Sequence, residues 1–387
     1  MTEKKQQSLK RFYKGFLVPL FLFGLYFGIM SAVLTRSGEY LSIEKTVEKL
    51  DRTHGLYGSA LYQRTFYFKE EIYKFYKPEV VTLGSSRVLQ FRQDYFTKPF
   101  INLGTISSLD EAMETGRNIF PEHTPQKMIL GLDFWWFHPS REEIFIPRSE
   151  RDATLTLSDM LEPATWLVSG KLRFSDVFHL LTSETPHAGI AAVSRGDGFD
   201  RFGSYFYTSI YTGRKKSQDI NFANTLEKMK TGEGVLVHGD TVSESRWAAF
   251  EALVNYYQSL GIEMVIFLPP IPPMVLQAMN DSGDYGYVDT LRPRLAAFAK
   301  ERDIPFFDFH DMQRYGSGDC EYYDGVHGGE NTYNRILLHM ALKNGMVRDV
   351  VDLPKLGWAI RRLKDRASSN PDEIDFLGLG CDKGFKE

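Results

Sequence analysis

The sequence predicts an α/β fold, a three-layer doubly wound parallel sheet, on an N-terminal membrane helix and interrupted by an insertion. Three observations carry this. A run of about twenty apolar residues opens the chain. Short apolar runs ending in Gly, Pro or polar residues recur from residue 78 onward. Helical patterns fill most of the intervals between them.

The chain has 387 residues, 43% hydrophobic and 14% aromatic, enough to bury a full core. Its formal net charge of -4, with Lys and Arg scattered outside the N-terminus, provides no basic field for nucleic acid. Lys4, Lys5, Lys10, Arg11 and Lys14 precede the uncharged run from Gly15 to Leu34, so residues 1–36 read as a cytoplasmic tail and transmembrane anchor with the remainder extracytoplasmic. A cleaved signal peptide is the competing reading. The run exceeds an ordinary signal core and lacks a good A-x-A site, which favours the anchor.

Residues 37–77 read as a polar, helix-forming juxtamembrane stalk. "EVVTLGSS" and "PFINLG" then open the core at 78–140, with "SLDEAMETGRNIF" as a helix and "KMILGLDFWWF" as a third strand. Residues 141–232 break the strand and helix rhythm and read as an inserted cap, with an aromatic patch in "DRFGSYFYTSIY" and a charged connector in "GRKKSQD". The core resumes at 233–350. There "ESRWAAFEALVNYYQSLG" leads into "EMVIFLPP", and "VDTLRPRLAAFAKERD" into "IPFFDFH". The tail, 351–387, is polar and turn-rich after about residue 365 and reads as partly disordered. Cys320 and Cys381 would lie in an oxidising compartment, where a disulfide is possible; their spacing matches no zinc pattern, and no metal or cofactor is expected.

"VVTLGSSRV" stops a buried-looking strand at Gly84 and two serines. A serine at that strand exit sits where unpaired backbone N–H groups gather and can stabilise an oxyanion with its own N–H. The plain alternative is a helix cap. A nucleophilic serine needs a base with an orienting carboxylate, and Asp324-Gly325-Val326-His327, before a predicted final helix, places Asp and His three apart. Asp51 and His54 share that spacing but precede the sheet.

Ser after the first strand and Asp-x-x-His before the last helix resemble the SGNH, or GDSL-like, hydrolases. The resemblance covers roughly residues 78–140 and 233–350. It implies a Ser86, His327 and Asp324 triad and oxyanion donors from Ser86 and Gly104. Ser85 and Arg87 depart from the Gly-Asp-Ser-Leu block, a variant similar to membrane-anchored members that modify cell-surface polymers. Asp133 of Gly131-Leu132-Asp133-Phe134 stands where the family has an Asn donor. A carboxylate there repels an oxyanion unless neutralised, and pairing with Arg87 is the alternative.

Trp135 and Trp136 are candidates for a sugar platform or for packing, and Arg87 and Asp133 for substrate binding. His138 is a second possible base without a carboxylate at fixed spacing, and "LPPIPP" reads as a rigid loop ending a strand. The resemblance implies a membrane-anchored, extracytoplasmic serine esterase or O-acyltransferase acting on a cell-surface polysaccharide, beside a multi-pass membrane O-acyltransferase. A non-catalytic scaffold subunit of an envelope polysaccharide assembly is the alternative.

Overall fold

The computed structural model describes residues 3–59, 65–141, 165–170 and 172–386. The five apolar runs become strands β1 (Val80–Gly84), β2 (Phe100–Gly104), β3 (Lys127–Gly131), β4 (Glu263–Leu268) and β5 (Phe306–Asp308). They form one five-stranded sheet ordered β2-β1-β3-β4-β5, parallel at every junction. The direction of the order reverses at β1, so the crevice beyond the carboxyl ends of β1 and β3 is a topological switch point, where open α/β sheets bind ligands.

Both sheet faces are buried, which is why the strands read as continuous apolar runs rather than alternating ones. Val80, Ile129, Val265 and Phe267 share a cluster with Tyr333, Ile336, Leu337 and Met340 of the helix Glu330–Lys343. Their strand neighbours Val81, Leu83, Met128, Leu130 and Ile266 point the other way and are also buried. Between β2 and β4 run the helices Leu109–Ile119 and Glu244–Ser259, which start where Ser108 and Ser243 accept the N–H groups of Glu111 and Arg246 at 3.2 and 3.1 Å. These two helices touch where Tyr257 donates to the Ala112 carbonyl at 2.6 Å.

The chain divides into two compact units, one from Met1–Arg64 with Asp152–Gly198, the other from Thr65–Arg151 with Phe199–Glu387. In the first, the helix Glu3–Ser37 contains a stretch of 28 residues, Lys10–Ser37, long and apolar enough to cross a membrane. Phe16, Leu20, Phe21 and Phe23 along it are exposed, whereas Met30, Val33 and Leu34 near its end are buried. Val33 and Leu34 pack with Trp166, Leu172, Leu180 and Ile190. Gly189 N–H donates to the Ser37 carbonyl at 2.7 Å, Arg36 Nε to the Leu180 carbonyl at 2.7 Å, and Ile190 N–H to Glu39 at 2.7 Å.

The segment expected as a stalk is split between the units. Ile43–Thr53 is an amphipathic helix of the first, capped by Ser42. Thr65–Tyr76 belongs to the second, because Phe68, Ile72 and Tyr73 form a buried face on it and the ammonium of Lys69 donates to the Asn102 carbonyl at 2.7 Å. The insertion is split likewise: helices Phe174–Thr182 and Ile190–Arg195 belong to the first unit, and residues 199–232 to the second. Residues 142–164 and 171 of it lie outside the described residues.

The tail is ordered over its described length, contrary to the disorder expected from its composition. Buried Glu373 accepts the N–H groups of Ala367 and Ser368, each at 2.9 Å, and pairs with Lys383 at 2.9 Å. A disulfide joins Cys320 to Cys381, with Cα atoms 5.8 Å apart. Polar composition conceals this, because the fixing groups are a carboxylate satisfied by backbone donors and a covalent link across the fold.

Candidate active site

Strand β1 ends at Gly84, and the chain turns into a single 3-10 turn, Ser86–Val88, at the switch point. Ser85 caps that turn, its Oγ accepting Arg87 N–H at 3.1 Å. Glycine is required at the exit: a Cβ on Gly84 would lie 2.8 Å from a Val88 methyl, and one on Gly131, at the end of β3, 2.6 Å from the same methyl. Ser86 is thereby left one residue beyond the cap, with its side chain free to face the crevice.

Ser86 Oγ lies 2.9 Å from His327 Nε2, across 241 residues of sequence. On the other side of the ring, His327 Nδ1 is 2.9 Å from both Asp324 oxygens. The Asp324 carboxylate is itself held by the N–H groups of Val326 and His327 at 2.9 and 2.8 Å, a turn that the three-residue spacing makes possible. Burial opposes the charged imidazole, but the Asp324 charge and hydrogen bond outweigh it, and the His327 pKa is raised above the ordinary histidine value. Burial likewise works against the Asp324 carboxylate, and His327 with the two backbone donors brings it net below the usual carboxylate range. The result is an ionised carboxylate, an oriented imidazole and a serine within hydrogen-bond reach, an arrangement able to deprotonate Ser86 Oγ.

Arg87 and Asp133, candidates for substrate contact, are used up inside the protein. Arg87 is 2% exposed and Asp133 1%. The guanidinium donates to Asp133 Oδ1 at 3.1 Å, to the Pro269 and Pro270 carbonyls at 2.9 and 2.5 Å, and to the Val326 carbonyl at 3.0 Å. It therefore ties the ends of β1, β3 and β4 to the loop that carries His327. The prolines of "LPPIPP" contribute carbonyls without competing N–H groups. Burial lifts the Asp133 pKa although Arg87 opposes the shift.

Trp135 and Trp136 form no open platform: they are 7% and 1% exposed, and Trp135 lies under the Arg87 guanidinium, 5.3 Å from the ring centre. Buried aromatic area holds both in the core, and the cation adds to it at Trp135 alone. His138 is also committed, to Ser140 Oγ at 2.8 Å and the His238 carbonyl at 2.9 Å.

Gly104, expected to donate to an oxyanion, instead donates its N–H to Asn102 Oδ1 at 2.9 Å, because the Asn side chain folds back along the strand end. The next residue, Thr105, is half-buried. Thr105 has φ 95°, a left-handed conformation rare for a β-branched residue, and its N–H, like that of Ser86, has no acceptor among the described residues. The register Gly84↔Gly104 sets Thr105 beside the Ser85-Ser86 turn. No sequence signal marked it, since nothing local requires Thr to adopt that φ.

Tyr207 is the second residue that the sequence did not assign to the site. Its ring lies 6.3 Å from His327 and 4.8 Å from Tyr323, and it is only half-buried. The aromatic patch was visible in the sequence, but its placement depends on the path of the insertion.

Among the described residues no group of three or more His, Cys, Asp or Glu side chains is arranged to hold a metal ion. No protein-family model matches the chain, and comparison with curated proteins and with solved structures gives no match either.

Proposed function

We propose that the protein is a membrane-anchored, extracytoplasmic serine esterase or O-acyltransferase acting on acyl groups of a cell-surface polysaccharide, with a three-layer SGNH-like core. The continuous Ser86, His327, Asp324 hydrogen-bond chain at the switch point carries the reading. Ser86 Oγ attacks the acyl carbonyl while its proton passes to His327 Nε2. The N–H groups of Ser86 and Thr105 receive the oxyanion, and collapse expels the alcohol, which takes the proton from Nε2. Water or a sugar hydroxyl then repeats the sequence on the acyl-enzyme, giving hydrolysis or transfer.

Burial of the last turns of the N-terminal helix under Trp166, Leu180 and Ile190 supports an uncleaved anchor, since cleavage would remove part of a packed core. The Cys320–Cys381 disulfide supports an oxidising compartment, the periplasm in a Gram-negative cell. The polysaccharide as substrate and a multi-pass membrane O-acyltransferase as partner rest on the SGNH resemblance alone.

A second reading, a non-catalytic scaffold subunit, draws on Asp133 standing where the family has an Asn donor and on the engaged Gly104 N–H. Fluorophosphonate labelling of the full-length protein in detergent separates the two, with the modified residue located by mass spectrometry. The catalytic reading expects labelling at Ser86 that disappears in His327→Ala. An unlabelled, folded protein whose Ser86→Ala variant still supports polymer modification overturns it.

A further inference from the structure

On the first compact unit four large apolar side chains stand in the open: Val168 is 92% exposed, Phe174 80%, Phe178 70% and Leu181 37%. Three of them belong to the helix Phe174–Thr182 and recur at intervals of four and three residues, which sets them in one stripe along it. A second stripe, Val177 and Leu180, packs into the cluster with Val33 and Leu34. A third, Ser175, His179 and Thr182, is polar and exposed. The helix therefore has a protein face, a water face and an apolar face left open among the described residues.

The height of this helix follows from the span on which it packs. The roughly 30 Å hydrocarbon core of a bilayer takes up about twenty helical residues, and counted from Gly15, the first residue after Lys14, it ends near Leu34. Leu17, Phe21 and Leu25 along the span are exposed, whereas Met30, Val33 and Leu34 are buried. Protein cover is thus in place at Met30, short of the far boundary. Leu180, clustered with Val33 and Leu34, lies at the level where hydrocarbon meets headgroups, and the bond from Arg36 Nε to the Leu180 carbonyl at 2.7 Å fixes the helix there.

We propose that the stripe of Phe174, Phe178 and Leu181 is a lipid-binding surface: the helix Phe174–Thr182 lies in the extracytoplasmic leaflet of the bilayer that the N-terminal helix crosses, with its two phenylalanines among the acyl chains. The inference rests on the reading of the N-terminal helix as an uncleaved anchor. A contiguous open apolar surface marks a protein or a membrane contact, and continuity selects the membrane. The stripe borders the end of a span whose exposed Phe16, Leu20, Phe21 and Phe23 only hydrocarbon can cover. Interfacial helices with one apolar and one polar face bury the apolar one at this boundary. The gain is orientation. A single crossing helix leaves rotation about its own axis free, and a second contact at the interface fixes how the unit is turned on the membrane.

The test places the full-length protein in nanodiscs of phosphatidylcholine and phosphatidylglycerol. The native cysteines are joined to each other, so one introduced cysteine takes a nitroxide label, and its collisions with oxygen and with a water-soluble nickel chelate give its depth. Single variants are Phe178→Cys on the open stripe, Ser175→Cys on the polar stripe, Leu25→Cys in mid-span and Lys300→Cys at an exposed site of the second unit. Expected is a Phe178 label about 5–10 Å into the boundary between headgroups and acyl chains, a shallower Ser175 label and a Lys300 label in water. Adding Phe174→Ser and Leu181→Ser should move the Phe178 label toward the nickel chelate. A Phe178 label as open to nickel as that at Lys300 overturns the proposal. So does one shielded from both reagents, and dipolar broadening that vanishes on dilution with unlabelled protein would then assign the stripe to a second copy. The Leu25 label keeps the two ideas apart. Leu25 in mid-bilayer with Phe178 in water removes the interfacial helix alone. A mature chain that begins near residue 37 by mass, yet still buries the Phe178 label in vesicles of the same lipids, removes the anchor alone.

Discussion

In the proposed reaction His327 must be neutral to accept the Ser86 proton, and its raised pKa sets where that fails. Esterase activity is expected to fall as pH drops through a midpoint above about 6.5, the ordinary histidine value. Asp324→Asn removes the charge that raises the pKa, so the acid limb should move to lower pH while kcat drops about 10³ to 10⁴-fold. A pH profile of acetyl-ester hydrolysis reads both, and an unmoved acid limb would detach His327 from the titration. For stability the sign is the usual one for a raised histidine: the contribution is fully present below the unfolded pKa and is lost as pH rises through the folded one. Arg87 acts differently, since it touches protein groups alone. Arg87→Met leaves Asp133 buried without its partner and should cost about 3–5 kcal/mol, part of which Asp133→Leu in the same chain restores. Chemical denaturation of the three proteins measures this; a cost below about 1 kcal/mol would show that the buried pair is not needed.

At the level of elements, each strand end supplies one part of the site. β1 delivers Ser86, β2 delivers Thr105, β3 delivers Asp133, and β4 delivers the carbonyls that hold Arg87. The loop carrying Asp324 and His327 follows a short 3-10 turn, Asp319–Glu321, that the tail grips through Cys320. Replacing both cysteines by serine should lower stability by about 2–4 kcal/mol and speed amide hydrogen exchange over residues 373–386. Unchanged exchange there would mean that the buried Glu373 contacts alone order the tail. The strands, their flanking helices and the Asp-x-x-His turn were legible because each is a local pattern: apolar runs, capping serines, a carboxylate three residues from an imidazole. Thr105 and Tyr207 were not. Their roles arise from backbone φ and from contacts between segments far apart in sequence, which periodicity does not encode.

For the molecule as a whole, the N-terminal helix is both long and apolar enough to cross a membrane and a structural member of its compact unit. The mature protein is therefore expected to retain residues 1–36, with an N-terminal tag protected and a C-terminal tag accessible to protease in spheroplasts. An N-terminus beginning near residue 37 in mass spectrometry would instead make the helix a signal peptide.

The sequence by itself determined the α/β class, the positions of the five strands and the apolar N-terminal helix, because hydrophobic periodicity and short turn motifs are properties of neighbouring residues; the candidate triad of Ser86, His327 and Asp324 came from the resemblance to SGNH hydrolases. Only the tertiary structure decided that Ser86 and His327 meet, that Arg87 and Asp133 pair in the core, and that both tryptophans are buried. It also decided how the stalk and insertion are shared between two units, and that the tail is fixed in place. Those outcomes depend on which groups lose water together when the chain closes, a property of the assembled fold rather than of any stretch of it.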